Sequence, residues 1–318
     1  MRAAPIAVGL AVSVAACAAP RPQAPEPERR LPVGIEAISL LGDTLRAIPL
    51  DSATRAGYEA RLADAIRDVQ ARPHDADAIV WLGRRTAYLG RYREAIQVFT
   101  RAHAGFPADP RFLRHRGHRY ITVREYDRAI VDLEQAVRLV TGRPDEVEPD
   151  GIPNARGIPT GTLQSNIWYH LGLARYLQGA FAGAASAWSA GLTVSRNNDM
   201  LVATTYWLYL AQRRAGRHAE ATALLEPVRA DMEIIENRSY HRLLLLFKGE
   251  LAPDSVVAAG ALALDVATLG YGLGAWYLLN GRGGEARSWW QRVRAGGNWH
   301  TFGFIAAETD LARDTRRP

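Results

Sequence analysis

The chain has 318 residues, of which 48% are hydrophobic and 23% charged. That is enough for two ordinary domains or one longer repeat array, and too apolar for global disorder. The formal net charge is +6 with a pI near 9.7, and Lys248 is the lone lysine, so the basicity is almost entirely arginine. Guanidinium groups grip carboxylates in bidentate fashion and stack on rings, which suits acidic partners. No block of like charge and no basic helix interleaved with stacking aromatics occurs, which argues against nucleic acid as a partner.

The N-terminus reads as a targeting segment. Arg2 forms a short charged region, Ala3 to Ala16 a short apolar run that is too short to span a bilayer, and Cys17 is the single cysteine. An internal disulfide is therefore excluded. Val14-Ala15-Ala16-Cys17 resembles a bacterial lipobox, with residues 1–16 as signal peptide. The resemblance implies cleavage before Cys17, lipidation at Cys17 and membrane attachment through that lipid. Ala18 follows where an aspartate would redirect such proteins, which implies an outer-membrane lipoprotein facing the periplasm of a bacterial cell envelope. An ordinary secretory signal with an incidental cysteine is the alternative. Residues 17–33 are rich in proline, alanine and charge and read as a disordered tether.

Residues 34–75 are expected to form an extended arm and an N-terminal capping helix over about 55–72, capped by Ser52 or Thr54, with Leu62, Ile66 and Val69 as its stripe. From residue 76 a pattern recurs. Leu82-Gly83, Gly90, Ala95, Phe99, Ala102 and Pro107 fall within 76–109, and Gly117, Tyr120, Ala129, Leu133 and Ala136 within 110–143. Trp168, Leu171-Gly172, Gly179, Ala184 and Trp188 follow in 165–198; Leu208, Gly216, Ala221 and Leu225 in 202–235; Leu273-Gly274, Tyr277, Gly281, Ala286 and Trp290 in 267–300. These positions resemble the 34-residue tetratricopeptide repeat. The resemblance implies an all-α solenoid, a right-handed superhelix of helix pairs, with repeats 1 and 2 over 76–143 and repeats 3 and 4 over 165–235.

The departures carry information too. Tyr209 stands where glycine is usual, predicting splayed helices in the fourth repeat. Residues 144–164 form an insert that Ile152, Ile158 and Leu163 are expected to pack down. Residues 236–266 suggest a short helix pair, with Asp254 and Ser255 supplying a turn and cap. Residues 267–313 suggest a last repeat-like pair and a terminal helix from about Thr301 to Arg313, capping the array for solubility.

In such repeats the first helix of each pair lines the concave wall. Its projected binding residues are Arg84, Tyr88, Arg111, Arg114, His115, His118, Asn166, Tyr169, His170, Tyr176, Tyr206 and Arg213, with Arg114 and His118 expected to be exposed. For Tyr169, Tyr176 and Tyr206, packing between repeats is an equal alternative. Asn154 and Arg156 of the insert are expected beside the groove. The wall is cationic and aromatic, which suits an acidic or aromatic peptide. It is not the lysine–asparagine carboxylate clamp of some tetratricopeptide domains, whose positions here hold Val80, Arg84, Arg114 and His118. His115, His118 and His170 have metal-ligand spacing, but Arg111, Arg114, Arg116 and Arg119 oppose a dication, so no metal is expected. Asp231, Glu233, Glu236 and His241 read as capping and turn residues before the next helix.

No phosphate loop, nucleophile elbow or HExxH motif is present, so neither enzymatic catalysis nor a cofactor is expected. Lipobox, tether, repeats and added terminal helix are similar in plan to the new-lipoprotein-I type of envelope adaptor, which brings peptidoglycan hydrolases and a protease together. The stretch Asp150–Tyr176 also resembles other bacterial tetratricopeptide proteins, which implies a fold and no activity. The expectation is a lipid-anchored scaffold holding periplasmic proteins on its concave face. The alternative is a small-ligand or glycan-binding envelope protein with residues 144–164 as lid.

Overall fold

The structure is a computed structural model and describes residues 31–257 and 263–315. The expected signal peptide, Cys17 and the expected tether up to residue 30 lie outside the described residues. The first described segment is more than an extended arm: β1 (Ala37–Ile38) and β2 (Thr44–Leu45) pair antiparallel. Helix α1 (Ser52–Ala71) starts one residue earlier than its expected caps allow, because the Asp51 carboxylate accepts from the Thr54 amide and does the capping. Its inward residues are Leu62 and Ala65, and Ile66 faces solvent.

The array then proceeds in antiparallel pairs: α2 (Ala76–Tyr88) with α3 (Tyr92–Gly105), α4 (Pro110–Thr122) with α5 (Tyr126–Val140), and α6 (Leu163–Gln178) with α7 (Phe181–Thr193). Further along, α11 (Ala263–Leu279) pairs with α12 (Gly283–Ala295). One contact fixes each pair. Gly83, Gly117, Gly172 and Gly274 lie against Phe99, Leu133, Trp188 and Trp290, sixteen residues on in every case. A Cβ at Gly117 would come within 2.7 Å of Leu133, and one at Gly172 within 2.5 Å of the Trp188 ring. Only glycine lets the partner side chain reach the first helix's backbone. Trp188 and Trp290 then donate their indole N–H to the carbonyls of Tyr169 (3.1 Å) and Tyr271 (3.4 Å) across the pair.

The fourth repeat breaks the rule where its glycine is missing. Helix α8 (Asn198–Arg214) is regular, but α9 (His218–Ala223) is only six residues long. Tyr209 cannot admit a close second helix. Instead α10 (Arg238–Lys248) packs on α8, with Phe247 stacked on Tyr209 at 4.7 Å between centroids, and thereby takes the second-helix place. The expected helix pair over 236–266 is therefore one helix followed by a 3-10 turn at Pro253–Ser255; residues 258–262 lie outside the described residues.

Helix α13 (Phe302–Asp314) corrects the reading of the terminal helix. Ten consecutive residues, Gly303 to Ala312, are buried, including Glu308, Thr309 and Asp310. An end cap would show one solvated face; a helix buried all round lies inside the protein. It packs on α11, α12 and α6 and reaches α4 through the ring of Phe302, so it fills the concave side of the array. The crossing rule predicts the effect of two glycine substitutions in chemical denaturation. Gly172→Ala should lose about 1–3 kcal/mol by overpacking against Trp188. Gly57→Ala, in open space on α1, should gain about 0.5–1 kcal/mol.

Candidate functional site

The concave side is covered from two directions. From one comes α13. Its Glu308 forms an ion pair with Arg124 (2.8 Å) in which the side chains are 0% and 3% exposed, and Arg124 also donates to the Trp299 carbonyl. Asp310 accepts from Arg214 (2.9 Å), Arg313 (2.9 Å) and the Tyr271 hydroxyl (3.1 Å). These arginines hold its carboxyl below the usual range against the opposing effect of burial. Tyr126 and Thr309 hydroxyls meet at 3.4 Å.

The insert comes from the other direction. Glu148 N donates to Gly161 O, and Val147 bridges Thr162, which gives the loop a closed base. Glu148 pairs with Arg114 of α4 (2.8 Å) and accepts from Asn166 of α6 (3.3 Å). Gly151 O accepts from Arg85 of α2 (2.9 Å), and Gly151 lies so close to the Tyr88 hydroxyl that any side chain there would collide. On the far side Asn154 donates to Glu236 (3.2 Å), Arg156 pairs with Glu233 (2.5 Å) and Thr160 donates to Glu236. The insert thus spans from α2 to the turn before α10. The isoleucine expectation is corrected: Ile152 and Ile158 are 58% and 43% exposed, and polar contacts hold the loop.

That receiving turn is itself built on Asp199, whose carboxylate accepts the amides of Ile235 (2.9 Å), Glu236 (2.8 Å) and Asn237 (2.8 Å). Glu233 and Glu236 are therefore free of capping duty and clasp the insert. Asp231 pairs with Arg229 at the surface, and His241 contacts the Arg229 carbonyl.

The projected wall residues separate into groups. Tyr176 and Tyr206 are core, 1% and 0% exposed. Arg111 pairs with Asp109 (2.6 Å) and with Asp77 one repeat back, and Arg213 donates to the Tyr209 hydroxyl (2.7 Å). The expected exposure of Arg114 and His118 is corrected: Arg114 is 6% exposed, and His118 is walled in by His170 (4.4 Å between ring centroids) and Phe302 (5.2 Å). The cause is the double cover by insert and α13.

Arg84, Tyr88, Arg114, His115, His118, Tyr169 and His170 do come together beneath the insert. Arginine only donates, so Arg114 and Arg119 fix His115 and His118 as acceptors at Nδ1 (3.1 and 2.5 Å). His170 Nδ1 donates to the Asn166 carbonyl (2.6 Å), which leaves its buried Nε2 without a partner. Burial first, and the neighbouring arginines second, hold His115, His118 and His170 well below 6.5; His300 is held at about 4. Among the described residues no three histidine, cysteine or carboxylate side chains gather at metal-ligand spacing.

Arg119, Arg124, Glu148, Asp199 and Glu308 were not singled out from sequence as site residues. Arg124 left the clearest signal: it occupies the register position that is glycine at 90, 179, 216 and 281, and it keeps their left-handed backbone (φ 68°).

Neither protein-family models nor curated proteins match the chain. Among solved structures it is similar to a tetratricopeptide repeat protein from Parabacteroides merdae (14% identity, 82% of this chain and 95% of that one, TM-score 0.47). It is also similar to YrrB, described as a TPR protein with an unusual peptide-binding site (12%, 76% and 96%, 0.42), and to MamA (15%, 64% and 100%, 0.42). The fold assignment rests on this chain's own helix pairs and their glycine crossings. No described helix is long and apolar enough to cross a membrane.

Two outcomes follow from the cover. Glu308→Ala leaves Arg124 buried and unpaired and should cost about 3–5 kcal/mol in denaturant titration. The histidines have folded-state pKa values below the unfolded value of 6.5, so the unfolded chain takes up protons first as the pH drops. Their contribution is complete above the unfolded value of about 6.5 and is lost progressively as the pH falls below it. Calorimetry should give a lower thermal midpoint at pH 5 than at pH 7.5, with a shallower slope in a His118→Gln/His170→Gln variant.

Proposed function

We propose that this chain is a lipid-anchored interaction scaffold of the bacterial cell envelope, without catalysis of its own, and that its partner docks on the insert. The carrying observation is that Val147, Ile152 and Ile158 are the exposed large aliphatics of one loop held at both ends by charged contacts. Branched aliphatics presented on a fixed frame lose little conformational freedom on binding, which favours a protein partner. The concave wall, the usual surface in this fold, is already filled by α13. Basic composition adds preference for an acidic or aromatic partner. The lipobox-like Val14–Cys17 supports outer-membrane attachment facing the periplasm.

Cross-linking and pull-down from native membranes tests the docking face. One protein recovered with the wild type and lost with Ile152→Asp/Ile158→Asp supports the scaffold reading; equal recovery from both overturns the docking face. Cys17→Ala should abolish acyl labelling and release the protein from membranes, and persistent labelling would remove the anchor from the proposal.

A further inference from the structure

The cluster beneath the insert has more positive charge than it has carboxylates to match. Among the described residues, neither Arg84 nor Arg119 forms an ion pair, and the one carboxylate that acts on Arg84 is Asp150 of the insert. Arg84 lies over the Trp81 ring (4.5 Å), and Arg119 rests on Tyr92 (5.5 Å) and His118. An arginine ringed by protein and left without a counter-charge is costly, since burial and neighbouring cations both oppose its charge. Desolvation, with Arg114 and Arg84 adding repulsion, brings Arg119 down to about 10. Arg119, His118, Tyr169 and Tyr240 are each only partly buried, so solvent reaches the edge of the cluster. The unpartnered Nε2 of His170 adds a buried polar atom in the same place. Phe302, the first residue of α13, touches both histidines, so the positive end of that helix is close by. A shallow hollow of about 380 Å³ between α5, α6 and α7 has its Arg175 already paired with Glu134 (2.7 Å).

We propose that the space enclosed by the insert, α4 and the start of α13 binds a small multivalent oxyanion, a phosphate or polycarboxylate. Arg119 supplies the unmatched charge with Arg84 beside it, His118 donates through Nε2–H, and Arg114 turns from Glu148 to the ligand. His170 completes the site by taking up a proton at Nε2 when the anion enters; Arg114, Arg119, His115 and His118 of α4, Arg84 of α2, Tyr169 of α6, and Glu148 and Asp150 of the insert are the charged and titratable groups of the cluster around it. This is a closed site for a free anion, beyond the scaffold reading and independent of it. Oxyanions pair with guanidinium in charge-assisted, bidentate geometry, which fits two arginines that form no ion pair within the protein.

The test is calorimetric titration of the full chain with inorganic phosphate, citrate and a hexaglutamate peptide, at constant ionic strength. Saturable binding of phosphate or citrate is expected, tightening from pH 7.5 to 6, with Arg119→Gln weakening it at least tenfold. The anion-free Arg119→Gln protein should keep or raise its thermal midpoint, because an unmatched charge is removed; a purely structural Arg119 would instead lower the midpoint and leave binding unchanged. Absence of phosphate and citrate binding, binding of the peptide alone, or equal binding by Arg119→Gln overturns the proposal. The pull-down outcome above is untouched by any of these results.

Discussion

The buried pair between Arg124 and Glu308 is the constraint on which the molecule's arrangement depends. It joins the second repeat to the last helix across 184 residues, with both side chains out of solvent. The backbone at Arg124 bears a cost for it: a left-handed conformation that the other repeats give to glycine. Replacing glycine at a turn gains nothing for the turn. It places a guanidinium against a counter-charge carried by α13. Glu308 also accepts the Leu40 amide (2.8 Å), so the same carboxylate ties the N-terminal hairpin to the groove.

The helix pairs were legible in the sequence because their cause is local. A glycine and a large side chain sixteen residues apart specify how two adjacent helices cross, whatever lies beyond them. The same logic flagged Tyr209, although the outcome was replacement of the second helix by α10 and not a simple splay. What filled the concave side was not legible. Helix periodicity tells which face turns inward toward neighbours, and for a solenoid two faces do: one toward the next repeat and one toward the groove. The stretch GFIAAETDLA did carry a sign, being apolar nearly all round with two acids embedded in it. That is the pattern of a helix with no wet side.

The candidate site shows the same division. Arg84, Arg114, His115, His118 and His170 were projected onto one wall by repeat register alone, and they do share one space. Their exposure was misjudged because the register of one helix says nothing about an insert with a different partner at each end. Ile152 and Ile158 misled for a related reason: apolar composition suggested packing, while the contacts holding the loop are Glu148, Gly151, Asn154, Arg156 and Thr160. Polar clasps of this sort depend on residues far away, such as Asp199 beneath the receiving turn, and leave no periodic trace.

The hairpin before α1 touches the end of the array at three points: Leu40 on Glu308, Asp43 on Arg294, and the Arg46 carbonyl accepting from the Trp299 indole. These contacts span 251 to 268 residues. An open solenoid folds by adding one unit to its neighbour, and can be shortened with proportionate loss. An array whose first hairpin touches its last described helices must close a long loop before those contacts return anything, which slows folding. Helix α13 is also synthesised after every repeat that it covers. Until it arrives, Tyr271 and Tyr176 lack the contacts that Asp310 and Arg313 make with them, so the nascent chain presents a sticky interior that this helix must seal.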